Sequence, residues 1–151
     1  KANSNDIIIM ERGLLTDVNV FVKMLHDEGK IEEINYMIFM KWYREFMEDI
    51  EFSGIIYLQT SPEVCYERTK IRNRDGETVD LEYLRKCHKY HEDWLNNSER
   101  SQMFSPAACG KLILNADEDI YNNDVCNNLL LKIKGYIGLL NNIESLTEDS
   151  M

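Results

Sequence analysis

Three short stretches of this chain are apolar at consecutive positions: Ile7–Met10, Ile55–Leu58 and Leu112–Leu114. A strand with one face in water alternates apolar and polar residues. Unbroken runs of this length therefore predict strands buried on both faces, as in a parallel sheet covered by helices. Each run gives way to polar residues, namely Glu11-Arg12, Gln59-Thr60-Ser61 and Asn115-Ala116-Asp117. Ligands of open parallel sheets sit beyond the carboxyl ends of the strands. Three such ends rich in charge and hydroxyls predict one shared edge as the site.

The intervening segments read as helices. Thr16 or Asp17 can cap a first helix running to about Glu28, with Gly29 as its stop. From Ile31 to Ile50 the apolar residues Ile34, Met37, Ile38, Phe39, Trp42, Phe46 and Ile50 form a wide stripe. Ser61-Pro62-Glu63 offers a hydroxyl cap, a first-turn proline and an acid near the positive end of the dipole. Further helices are expected over Asp80–Leu95 and from Asn122 to about Leu140. Strands alternating with helices predict an α/β fold, a three-layer parallel sheet with helices on both faces. With only 7 Gly and 2 Pro, no flexible linker divides the chain, so residues 1–151 are expected to form a single domain.

Composition narrows the function. Seventeen Lys and Arg against 27 Asp and Glu give a net charge of −10, the wrong sign for a general nucleic-acid or membrane-surface binder. No apolar run approaches the roughly 20 residues of a membrane-spanning helix. Cys65, Cys87, Cys109 and Cys126 are scattered without a C-x-x-C, which predicts reduced thiols and a cytoplasmic protein. Lys1–Asn5 pass at once into core sequence, as expected of a chain that begins inside a larger protein.

Within this acidic chain, Arg68, Lys70, Arg72 and Arg74 make a basic run. Arg68 and Arg72 share a helix face, and guanidinium forks near a strand-end site suit phosphate oxygens. The same spacing also fits a solvated face supported by Glu63 and Glu67. Glu11-Arg12 after the first strand could hold Mg²⁺ through water and bind a transferring phosphoryl group, or form a plain ion pair. Asp17 could read a donor on a substrate or simply cap a helix. His88 and His91 beside Cys87 lack further ligands at zinc spacing, so they read as structural. Trp42, Phe46, Tyr83 and Trp94 fit core or interface packing.

Glu11-Arg12-Gly13-Leu14-Leu15-Thr16-Asp17 followed by Phe21 resembles the deoxynucleoside kinase family, which has Glu-Arg-Ser, an Asp or Ala four residues after the serine, and then an aromatic. The stretch Ile56–Leu95 is the stronger match. It resembles the family's fourth strand, its arginine-rich lid (about 68–78 here) and its following helix, with Leu81-Glu82-Tyr83-Leu84 and His88-x-x-His91-Glu92-x-Trp94-Leu95. Asn115-Ala116-Asp117-Glu118-Asp119 resembles the loop that wraps the adenine of the donor.

The resemblance implies a P-loop kinase fold lacking its first strands, and transfer of the ATP γ-phosphoryl group to the 5′-hydroxyl of a deoxynucleoside. It also implies roles. Glu11 would help hold Mg²⁺ and Arg12 would lie beside the 5′-oxygen. Arg68, Arg72 and Arg74 would be the lid arginines, and Glu77 would reach the sugar 3′-hydroxyl. Asp17 matches the acid that reads the base in the deoxycytidine and deoxyguanosine branches. Glu118, Asp119 and Ile120 would flank the adenine. A homodimer through helix 31–50 is likewise implied.

Gly13 stands where the family has Ser, and Val18 where a basic residue often follows the acid. The family's G-x-x-x-x-G-K-S/T loop and its carboxylate general base do not occur between Lys1 and Met151. In the family's sheet the phosphate-loop strand separates the strand ending at Glu11 from the one ending at Gln59. Those two are therefore expected to leave a slot between them, and the chain alone is not expected to be a stable monomer. Two other functions compete: a non-catalytic nucleotide-binding remnant or partner subunit, and a nucleoside monophosphate kinase of the same fold. A monophosphate acceptor would need basic residues beyond Arg12 and the lid set.

Overall fold

The computed structural model describes residues 7–47, 50, 52–96 and 110–148, with side chains as far as residue 141. Cys109 lies outside the described residues. The chain falls into two compact units, Lys1–Asp49 and Ile50–Met151.

The first unit is helical. A single turn, α1 (Leu14–Thr16), runs into a π-helical stretch (Asp17–Val22) and on into α2 (Lys23–Asp27), followed by α3 (Glu33–Met47). The widening has a local cause. Asn19 Nδ2 donates to the Leu15 carbonyl at 2.8 Å, which places a side chain in the i→i−4 ladder at the point where the helix departs from α geometry. Gly29 ends the helical run in the left-handed region, φ 67°, as the sequence predicts. Leu15, Val18, Val20, Met24, Tyr43 and Met47 form this unit's buried core.

The expected first strand is not formed. Ile7–Met10 is neither strand nor helix, and its side chains are 52–70% exposed. A strand exists only by pairing, and every other regular element described in this unit is helical. The first helix also begins earlier than expected. Gly13 is its N-cap, with an extended backbone and no side-chain cap.

The second unit is α/β. Strands β1 (Gly54–Gln59) and β2 (Gly110–Asn115) pair in parallel, with Gly54 opposite Gly110 and Gln59 opposite Asn115. Helices α4 (Pro62–Arg72), α5 (Leu81–Asn96) and α6 (Asn123–Glu148) complete it. Side chains alternate across a sheet, and the contacts divide accordingly. At Gly54 a Cβ would strike the Tyr136 hydroxyl and come within 2.8 Å of Leu140, so α6 lies close against that face. Tyr57 and Gln59 point the other way and bond Glu92 of α5. Lys111, on the α5 face of β2, donates to the Leu95 carbonyl at 2.5 Å, a cation at the negative end of α5. This small parallel sheet thus carries a helix on each face, but the strands are not buried on both faces as expected: Leu58 and Ile113 stay 53% and 38% exposed, and Leu114 is the strands' one buried residue. Trp94, Leu95, Leu114 and Ala116 are its buried core.

One helix-end expectation changes. Ser61 makes no side-chain cap on α4; its backbone N–H instead donates to Asp117 Oδ1 at 2.6 Å. The same helix stops at Arg72, with Asn73 in the left-handed region at φ 43°. No helix among the described residues is long and apolar enough to cross a membrane.

Candidate functional site

In the first unit, the residues singled out lie where the chain enters the π-helical stretch. Glu11 and Arg12 are exposed. Arg12 takes φ 51°, a left-handed backbone that costs a non-glycine residue about 1 kcal/mol or more. Its guanidinium lies over the Phe21 ring, 5.4 Å from the centroid, which holds the strained residue beside the helix. Asp17 is not a helix cap. It has helical dihedrals, one turn after the N-cap Gly13, and opens the π-helical stretch. It is half-buried, between the buried Leu15 and Val18. A π-helical widening frequently marks a functional position.

In the second unit, α4 and the segment after β2 are joined by side chains. Arg68 Nη1 donates to the Ala116 carbonyl at 2.8 Å, and Nη2 to the Asp117 and Glu118 carbonyls at 3.2 and 2.8 Å. Ala116 N–H donates to the Gln59 carbonyl at 2.8 Å, continuing the ladder past β2. Asn115 Oδ1 accepts from Asp117 N–H at 2.9 Å, and Asp119 Oδ1 from Tyr121 N–H at 3.0 Å. Glu118, Asp119 and Ile120 are exposed on this loop.

Arg72 and Glu77 form a two-pronged ion pair across the turn that follows α4. Arg72 Nε donates to Glu77 Oε2 at 3.2 Å, and Nη2 lies closer still to Oε1. Gly76, at φ 77°, lets the chain double back between them. Arg74 is exposed beside the pair. Lys70 takes the bland role open to the basic run. It pairs with Glu67 at 2.7 Å and lies over the Tyr66 ring. Glu63 pairs with Arg85 of α5 at 2.9 Å, and that contact holds its carboxyl below the usual range.

One cluster escaped the sequence reading. Glu92 accepts from Tyr57 Oη at 3.0 Å, Gln59 Nε2 at 2.7 Å and Asn96 Nδ2 at 2.6 Å. The Tyr57 ring is parallel to that of His91, with centroids 5.7 Å apart. The clue lay in spacing two: Tyr57 and Gln59 put two hydrogen-bonding side chains on one face of the strand. Burial pushes the Tyr57 hydroxyl pKa up, and the hydrogen bond to Glu92 pushes it further. Among the described residues no group of three His, Cys, Asp or Glu could hold a metal ion. A lone exposed carboxylate such as Glu11 fits magnesium only as part of a shell completed by water and phosphate oxygens.

The model of the family described as deoxynucleoside kinase matches residues 1–137. A probable deoxycytidine kinase of Fowlpox virus is 39% identical over 120 residues, covering 77% of this chain and 49% of that protein. A deoxycytidine kinase 2 of Gallus gallus is 34% identical over 134 residues, 84% of this chain and 51% of its own length. A mitochondrial deoxyguanosine kinase of Xenopus laevis is 32% identical over 136 residues, 85% and 51% respectively. The chain spans about half the length of these relatives.

Proposed function

The chain belongs to the deoxynucleoside kinase family, and from that premise we propose that the protein transfers the γ-phosphoryl group of ATP to the 5′-hydroxyl of a deoxynucleoside. The observation that carries the proposal is the lid segment. Arg72 is paired to Glu77 across a glycine turn, with Arg74 exposed beside it. Guanidinium groups on a short exposed turn can close on phosphates only when phosphates are present.

On this reading Arg72 and Arg74 neutralise charge on the donor's phosphates as it develops, and Glu77 accepts from the sugar 3′-hydroxyl. Donor and acceptor would each compete for one half of the Arg72–Glu77 pair. Arg12 orients the acceptor's 5′-oxygen, and its strained backbone and Phe21 contact support a fixed direction of approach. Glu11 would supply one carboxylate to a shell for Mg²⁺, and the ion would contribute positive charge to the phosphoryl-transfer chemistry. Asp17 accepts from a donor on the base, its mid-helix position favouring recognition over capping. Glu118, Asp119 and Ile120 flank the donor's adenine. Arg68, matched to the same lid set, is already engaged with backbone carbonyls.

Phosphoryl transfer asks a protein for positioning and charge neutralisation rather than covalent chemistry, and these residue types supply both. The test is an acceptor panel for the full-length protein with ATP. Deoxynucleosides should be phosphorylated in preference to nucleoside monophosphates. Preference for monophosphates would assign the protein to the other kinase class.

A further inference from the structure

Three successive backbone carbonyls, those of Ala116, Asp117 and Glu118, converge on one side chain, the Arg68 guanidinium. In an extended chain successive carbonyls alternate in direction, so this convergence requires the backbone to curl around Arg68. In a trans peptide the C=O and the following N–H point in opposite directions. Carbonyls drawn inward therefore turn the amides of Asp117, Glu118 and Asp119 outward. The Asp117 amide is taken by Asn115 Oδ1, whereas those of Glu118 and Asp119 lie on the side away from the guanidinium. The root of the curl is fixed twice more, by Ala116 N–H on the Gln59 carbonyl and by Ser61 N–H on Asp117 Oδ1.

We infer that Arg68 is a positioning residue rather than a phosphate contact: it shapes the 116–119 loop so that the Glu118 and Asp119 amides face the base of the phosphate donor. The inference rests on the kinase reading above, because that reading supplies the nucleotide. To reach a phosphate, Arg68 would have to abandon three charge-assisted hydrogen bonds, the stronger kind. Its half-buried place in α4 favours the loop.

The experiment compares wild type with Arg68→Met and Arg68→Lys in the full-length protein. The KM for ATP should rise about tenfold or more in Arg68→Met as the loop loses its shape. The deoxynucleoside KM and the kcat at saturating ATP should stay within about twofold. Inhibition by inorganic tripolyphosphate, which has phosphates and no base, should be unchanged. Hydrogen exchange at the 116–119 amides should quicken. Should Arg68→Met fail to fold, Arg68→Lys carries the same readouts, since one ammonium cannot reproduce the fork.

Loss of tripolyphosphate inhibition in step with the rise in ATP KM would overturn the inference and make Arg68 a phosphate ligand. Unchanged exchange at the loop would also overturn it. A wild-type protein that phosphorylates no deoxynucleoside would overturn the function reading alone. In that case the exchange measurement still decides the role of Arg68 in the loop.

Discussion

At the scale of single residues, the place of Asp17 separates two meanings of one side chain. Its spacing fits a helix cap or an acid that accepts from a substrate, and the family resemblance implies that the substrate group is the base. Its helical dihedrals, one turn inside the helix, remove the first. In the full-length protein Asp17→Ala should lower kcat/KM for deoxycytidine or deoxyguanosine by about a hundredfold more than for thymidine. A site built around a hydrogen bond discriminates strongly because its loss leaves polar groups unpaired. An equal fall for all acceptors, measured by steady-state kinetics, would reduce Asp17 to a structural residue. In the proposed reaction Arg72 would serve the other half of the chemistry. Arg72→Ala should lower kcat by about 10²–10³-fold, the usual cost of losing one preorganised donor to a transition state. The deoxynucleoside KM should change far less. A raised KM at constant kcat would place Arg72 on ground-state binding instead.

At the scale of elements, the sheet and its covering helices were legible because apolar runs and alternation act locally. The runs at Ile55–Leu58 and Leu112–Leu114 sit inside β1 and β2, and Pro62 opens α4 as its chemistry requires. The run at Ile7–Met10 has the same composition and forms no strand, because hydrophobicity gives a segment reason to pair but not a partner. The Arg68 clamp and the Glu92 cluster were illegible for a related reason. They join residues 33 to 50 positions apart, and only the closed fold brings those together.

The Glu92 cluster makes a pH prediction. Burial pushes its carboxyl up, but hydrogen bonds from Gln59, Tyr57 and Asn96 and the charge of His88 leave it below the usual 4.5. A group with a lowered folded pKa contributes stability above its unfolded value and loses it as pH falls through the folded one. The contribution should therefore be complete above about pH 5.5, one unit above that value, and fade progressively below it. Tyr57 runs oppositely. Its pKa is raised above 10.0 by burial first and Glu92 second, so its contribution is present below pH 10 and fades above it. Glu92→Gln should flatten the acid limb in denaturant titrations. It should cost about 1–3 kcal/mol at pH 7, because donors from Tyr57, Gln59 and Asn96 lose an ionised acceptor. An unchanged acid limb would show that Glu92 is not what links β1 to α5 energetically.

At the scale of the whole molecule, helix α3 carries more apolar surface than its own unit buries. Trp42 and Phe46 stack at 5.7 Å while each is 60% exposed, and Ile34, Met37 and Ile38 extend the same stripe. An uncovered apolar patch of this kind marks an interface, and we propose that it joins two copies of the protein. Trp42→Glu should convert a dimer into a monomer in light scattering at micromolar concentration. A wild-type protein that is already monomeric there would refute the dimer. Transfer of a phosphoryl group to a deoxynucleoside can be followed with γ-labelled ATP in the full-length protein. Label should appear on the 5′-oxygen of deoxycytidine or deoxyguanosine, with one ADP formed per monophosphate. Nucleotide binding with no transfer, or label released only as inorganic phosphate, would contradict the proposed reaction.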